Sequence, residues 1–161
     1  RQRIGIARAL VLEPKVIILD ESTSALDVSV QKNIIDLIKK LQREKNITIG
    51  FVCHDISLMS EISDKVAVMY LGNLVEVIPG GKLQRECKHP YTKTLISSVF
   101  HLNMDYSKKI ENIKDEAANP LDIQKGCAFK NRCKYAMEIC ENERPKLKSV
   151  SKGHQIACHL K

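Results

Sequence analysis

The sequence predicts an α/β fold built on a parallel sheet, followed by a small cysteine-rich extension. Three observations predict it. Val16-Ile17-Ile18-Leu19 is an uninterrupted aliphatic run that ends in two carboxylates, Asp20 and Glu21, the pattern of a strand buried on both faces of a parallel sheet. Ile47-Thr48-Ile49-Gly50-Phe51-Val52-Cys53 is a second run, β-branched and aromatic, ending in His54-Asp55, and the stretch between the two has helical periodicity. Residues 126–161 then hold four of the six cysteines.

Residues 1–12 place Ile4, Ala7 and Val11 on one stripe, widened by Ile6, Ala9, Leu10 and Leu12, which predicts an amphipathic helix. Arg1 and Arg3 fall outside the stripe as solvated charges. Glu13-Pro14 ends the helix, because the residue before proline is pushed out of the helical region. After the first strand, Asp27 and Ser29 offer capping oxygens for a helix over residues 30–45, whose apolar positions are Ile34, Ile35, Leu37, Ile38 and Leu41. Asp55 is the expected N-cap of a helix over 56–62, and Cys53 is read as a small buried residue. Residues 64–78 read as two strands turning at Gly72-Asn73, since both residues tolerate the positive φ of a tight hairpin. Pro79-Gly80-Gly81 breaks the chain before a short helix over 82–86 and another over 91–102, with Pro90 suited to its first turn. Residues 103–125 are polar and mixed in charge, as a linker is. The expected division is 1–79, 80–125 and 126–161: the α/β part, a helical segment with linker, and the four-cysteine extension.

Length and composition narrow the function. At 161 residues the chain can bury one sizeable core. No apolar run approaches the roughly 20 residues that cross a bilayer, and no signal peptide opens the chain. It opens on Arg1 with a helix already under way, so a C-terminal fragment of a longer protein is expected. Of the net charge of +7, residues 125–161 contribute nine basic and three acidic side chains, which suits an anionic partner or a negatively charged metal cluster. Six cysteines without a secretion signal favour metal binding or reduced thiols over disulfides.

The chemistry-bearing residues sit at strand ends. Open α/β sheets bind ligands beyond the carboxyl ends of their strands, so Asp20 and Glu21 suit a magnesium ion and an attacking water; as bare residues they equally suit a solvated strand end. His54, at the end of the next strand, reads either as a surface histidine or as a group reaching the same rim. Cys127, Cys133, Cys140 and Cys158 have 5, 6 and 17 residues between them. Four thiolates complete a tetrahedral zinc shell or bind an iron–sulfur cluster, or they stay unligated. No Cys-x-x-Cys pair of the zinc-ribbon kind occurs, and wide spacing is easier to reconcile with a larger cluster. Cys87 with His89 supplies too few ligands for a metal, and His154 and His159 are read as supporting or surface groups.

These residues also carry a family resemblance. Ile18-Leu19-Asp20-Glu21, Ser24-Ala25-Leu26-Asp27 and Val52-Cys53-His54-Asp55 resemble, in that order, the second acid motif, the dimer-interface loop and the switch histidine of ABC-type ATPases. The resemblance implies the C-terminal part of a P-loop NTPase nucleotide-binding domain, acting on ATP with Mg²⁺. By it, Asp20 positions Mg²⁺ through water, Glu21 acts on the attacking water, His54 senses the γ-phosphate, and Ser24 and Asp27 link two sites across a dimer. Ser22 stands where the family often has proline, which loosens that turn. No phosphate-cradling Gly-Lys-Ser/Thr loop occurs in the chain, so on its own it is expected to be inactive.

Lys88-His89-Pro90-Tyr91-Thr92 resembles the His-Pro-Tyr-Thr segment of oligopeptide and dipeptide importer ATPases. Cys127-Ala128-Phe129, Arg132-Cys133, Cys140, Arg144-Pro145 and His154 with Cys158 resemble the C-terminal extension of the same importers. This implies a [4Fe–4S] cluster, with Zn²⁺ as the alternative. Residues 2–10 and 68–72 look like the second of two ATPase subunits. The implied partners are another ATPase subunit in a heterodimer, two transmembrane permease subunits and an external substrate-binding protein. The implied place is the cytoplasmic face of the membrane, as a peripheral subunit coupling ATP hydrolysis to peptide uptake. A nickel-importing sister system is the alternative within the family. An ABC ATPase acting on nucleic acid is a more distant one, and no nucleic acid is expected.

Overall fold

The structure, a computed structural model, describes residues 2–21, 27–99 and 125–160, in two units, Arg1–His54 and Asp55–Lys161. The expected dimer-interface residue Ser24, with Ser22 and the linker over 103–124, lies outside the described residues.

In the first unit, helix α1 (Gln2–Leu10) precedes strand β1 (Val16–Asp20), and helix α2 (Val28–Lys45) leads to strand β2 (Thr48–Val52). The strands pair in parallel, with Val16 opposite Thr48 and Asp20 opposite Val52. One face carries the core: Ile6 of α1, Ile17 and Leu19 of β1, Ile34 and Ile38 of α2, and Ile47. The apolar stripe read from residues 30–45 is therefore the packed face of α2. Asn46 ends that helix in a left-handed conformation (φ 50°), its N–H bonded to the Gln42 carbonyl, since asparagine tolerates αL. Asp27 occupies the N-cap position, but its side chain bonds no helix amide.

Two expectations need correcting. Helix α1 stops at Leu10, leaving Val11 and Leu12 exposed in a turn. Strand β1 is buried on one face only, since Val16 and Ile18 are 56% and 65% exposed. A continuous aliphatic run reports what a strand is suited to bury, and within this unit both helices pack on the face of Ile17 and Leu19.

In the second unit, Asp55 caps helix α3 (Ile56–Ile62) by accepting the Leu58 N–H at 3.0 Å. Strands β3 (Lys65–Tyr70) and β4 (Asn73–Pro79) form the expected hairpin. Its turn is Leu71-Gly72, both at positive φ (45° and 72°), while Asn73 opens β4 and its side-chain amide donates to the Leu71 carbonyl at 2.7 Å. A 3₁₀ turn at Gly80–Lys82 leads into α4 (Leu83–Glu86), and α5 spans Pro90–Ser97 with proline in its first turn. Helix α5 thus ends before the expected 102.

A 3₁₀ turn (Lys130–Arg132), helix α6 (Glu138–Asn142) and strands β5 (Lys148–Ser151) and β6 (His154–Ile156) follow. Strand β6 pairs antiparallel with β4, with Glu76 opposite Ile156, so the sheet runs β3-β4-β6-β5. The cysteine segment buries Phe129, Ile156 and Ala157 and extends a sheet, since pairing with an existing strand supplies the backbone hydrogen bonds that a short segment cannot supply alone. The core gathers Val68, Tyr70, Val75, Ile78, Leu83 and Phe129.

Candidate functional site

In the first unit, the parallel register decides what meets at the strand ends. Asp20 opposite Val52 sets Glu21 and His54 just beyond the paired strands, on the same edge. The Glu21 N–H continues the ladder to the Val52 carbonyl at 2.9 Å, after which the residue turns with φ 43°, a conformation non-glycine residues rarely adopt. His54 Nδ1 lies 3.4 Å from Glu21 Oε1, both side chains well exposed. Asp20 is exposed beside them, and Asp27 is exposed at the head of α2. Two carboxylates and an imidazole open to solvent suit a hydrated divalent cation and a polarised water.

A second cluster lies in the other unit. Cys127, Cys133, Cys140 and Cys158 all line one small cavity, together with His89 and Phe129. Gly126, at φ 77°, makes the turn that lets the Cys127 N–H reach the Cys140 carbonyl at 2.8 Å. Burial pushes the Cys127 thiol up, and the neighbouring Cys140, Cys158 and Cys133 push it further. Cys133 and Cys158 are raised by burial and by the same neighbours. Among the described residues, no three His, Cys, Asp or Glu side chains form a group that could hold a metal ion. The four thiols share the lining of one cavity without forming such a group.

Behind the cavity stands a residue that sequence reasoning missed. Glu76, in the middle of β4, is fully buried. Its carboxylate accepts the Lys88 N–H at 2.7 Å and the His89 N–H at 3.2 Å, and His154 Nε2 lies 2.7 Å from Oε1. It joins the strand to the head of α5 and to β6. His154, read from sequence as a supporting or surface group, is 1% exposed. His89 is equally buried and caps α5, its Nδ1 accepting the Tyr91 N–H at 3.1 Å. Burial lowers the His89 pKa to about 4, against the opposing pull of Glu76, so the ring is neutral at pH 7. Tyr70, Tyr91 and Phe129 pack as a tilted aromatic group, with Arg132 Nη1 3.4 Å from the Tyr70 hydroxyl. The available signal was a carboxylate inside an apolar strand, Leu74-Val75-Glu76-Val77-Ile78.

Comparison with known proteins bears on the whole length of the chain and on part of its second unit. Residues 75–140 match the family model for the oligopeptide/dipeptide transporter C-terminal region. The chain is 47% identical over 162 residues to the oligopeptide transport ATP-binding protein AppF of Bacillus subtilis (strain 168), covering 99% of this chain and 49% of the relative. It is 43% identical over 159 residues to OppF of Haemophilus influenzae, also an oligopeptide transport ATP-binding protein, covering 98% and 48%. It is 47% identical over 160 residues to the dipeptide transport ATP-binding protein DppD of Caldanaerobacter subterraneus subsp. tengcongensis, covering 99% and 49%. The chain therefore spans about half the length of the curated relatives it matches. No helix among the described residues is long and apolar enough to cross a membrane. With that region matched in its second unit and relatives along nearly all of its length, the chain is similar to the ATP-binding proteins of oligopeptide and dipeptide transport.

Proposed function

We propose that this chain supplies the hydrolytic edge of an ABC importer's ATPase subunit, coupling ATP hydrolysis to uptake of oligopeptides or dipeptides. The observation that carries the reading is Glu21 and His54 meeting at the end of the parallel β1–β2 pair. Glu21 takes a proton from the attacking water, and His54 holds that carboxylate in line through the 3.4 Å contact. Asp20 is the residue that would hold Mg²⁺ through water. When bound, the ion neutralises charge on the β- and γ-phosphates. Asp27 and Ser24 serve the partner site across an ATPase dimer. The phosphate-cradling loop is absent from these residues, so the activity belongs to the intact subunit.

On this reading, residues 1–79 serve the ATPase, 80–125 form a connecting segment, and 126–161 form an extension whose four cysteines hold a [4Fe–4S] cluster. Cavity-lining thiols in that number support the cluster, and the nine basic side chains over residues 125–161 favour its negative charge. The partners are a second ATPase subunit, two permease subunits and an external binding protein, at the cytoplasmic face of the membrane. The open face of Val16, Ile18 and Val52 packs against the remainder of the nucleotide-binding domain.

The test uses the assembled transporter. Glu21→Gln keeps ATP binding and lowers turnover by about 10²- to 10⁴-fold, the range of a lost general base. Turnover within a few fold of wild type would overturn the assignment. Iron and acid-labile sulfide near four each per subunit, lost in Cys133→Ser, support the cluster. Stoichiometric zinc without sulfide would overturn it.

A further inference from the structure

The stretch leading into α6 carries large apolar side chains on its outside. Tyr135, Met137 and Ile139, with Leu160 from the end of the chain, are between 38% and 47% exposed. Tyr135 and Leu160 line one cavity, which makes these two neighbours in space, and Met137 and Ile139 follow Tyr135 within a few residues. Single exposed apolar side chains are ordinary, but several together mark a contact surface.

Charge is the second observation. Residues 127–135 hold Lys130, Arg132 and Lys134 and no acidic side chain. Lys130 is paired with Glu141 at 2.6 Å, and the Lys134 ammonium lies 4.9 Å from the centre of the Tyr135 ring. Arg132 is half-buried and has no carboxylate partner among the described residues. Its Nη1 lies 3.4 Å from the Tyr70 hydroxyl, its guanidinium carbon is 6.0 Å from the centre of that ring, and its Nε is buried without a hydrogen-bond partner. Burial raises the Tyr91 phenol pKa and Tyr70 adds to the rise, while Arg132 pulls it back, so the guanidinium also stands near Tyr91. A partly buried cation met only by phenols is short of an anion. Its planar fork fits a carboxylate. Arginine, tyrosine and methionine are also the residues that protein interfaces favour.

We propose that Arg132, Tyr135, Met137, Ile139 and Leu160 form a docking surface for an acidic, partly apolar segment of a partner protein. Arg132 takes one carboxylate of that segment through its terminal nitrogens, and the apolar side chains cover the residues beside it. Charge complementarity selects an acidic partner, and the apolar fringe selects a peptide segment over a bare phosphate. A guanidinium set back against Tyr70 suits one carboxylate on a side chain better than a flat membrane surface. The docking surface is independent of what the cysteines hold.

The test is a binding titration on the intact subunit at physiological salt. The probe is a short fluorescent peptide alternating glutamate with leucine, and its control has glutamine in place of every glutamate. The acidic peptide should bind at least about tenfold more tightly than the control, the scale of one charged hydrogen bond. Equal affinities, or no binding of the acidic peptide up to about 1 mM, would overturn the proposal. Arg132→Gln should abolish the preference and leave the control peptide's affinity unchanged, and a preference that survives the substitution overturns the assignment. Met137→Ser, at an exposed position, should weaken both peptides. If Arg132→Gln does not fold, amide exchange on the wild type decides. Adding the acidic peptide should slow exchange over residues 132–139 and near Leu160, and slowing only elsewhere would overturn the surface. Vesicles of phosphatidylglycerol are the last arm: binding to them, with none to the acidic peptide, would make this a lipid contact and overturn the proposal.

Discussion

Truncating Glu76 to alanine tests the idea that one buried carboxylate holds the second unit together. Its three partners are two backbone amides at the head of α5 and the His154 ring in β6. Removing the carboxylate strands all three in a site with no solvent access. Hydrogen bonds to a charged group are worth about 1.5–3 kcal/mol each, but they share one group and do not add. Leaving buried polar groups unsatisfied costs about 1–3 kcal/mol each, and Glu76→Ala should cost about 3 kcal/mol by the same principle. That is a large part of a typical domain's stability of about 5–15 kcal/mol. The assay is denaturant unfolding of the intact subunit, with amide hydrogen exchange read residue by residue. Exchange should quicken at Lys88, His89 and β6, while β1 and β2 keep wild-type protection. A loss below about 0.5 kcal/mol, the scale of ordinary surface substitutions, with Lys88 and His89 still protected, would refute the reasoning.

Two further outcomes follow from local geometry. Gly126→Ala should cost at least about 2 kcal/mol, since a left-handed non-glycine residue carries strain of about 1–3 kcal/mol and the new Cβ would run into the Cys140 and Glu141 carbonyls; denaturant unfolding would report it. Asp55→Ala should remove about 1 kcal/mol through the lost N-cap of α3, seen as a lower unfolding midpoint without change in metal content.

What could be read from the sequence was what depends on neighbours along the chain. The apolar stripe of α2, the cap at Asp55, the hairpin of β3 and β4 and the proline in the first turn of α5 are set within a few residues. The hairpin turn slipped by one position because Leu71 accepts a positive φ that the sequence assigned to Asn73. Strands β5 and β6 were missed for another reason. Residues 148–151 and 154–156 are too short and polar for a period-two signal, and β6 exists because β4 offers it an edge. Glu76 and His154 are 78 residues apart, beyond any local pattern. The pair Glu21 and His54 was legible because both follow apolar, β-branched runs, and a parallel pairing brings such ends together.

The hub at Glu76 bears on how the cysteine segment is held to the sheet. Were the cysteine segment free of the sheet, metal binding would have to supply most of its folding free energy, as it does in small metal-dependent modules. Here β6 lies on β4, Phe129 sits in the core under Tyr70 and Tyr91, and Glu76 ties His154 to the backbone that carries His89. The thiols of Cys127, Cys133 and Cys158 are all raised by burial, and Cys140 raises each of them further. Secondary structure in β5 and β6 should accordingly be lost on Glu76→Ala.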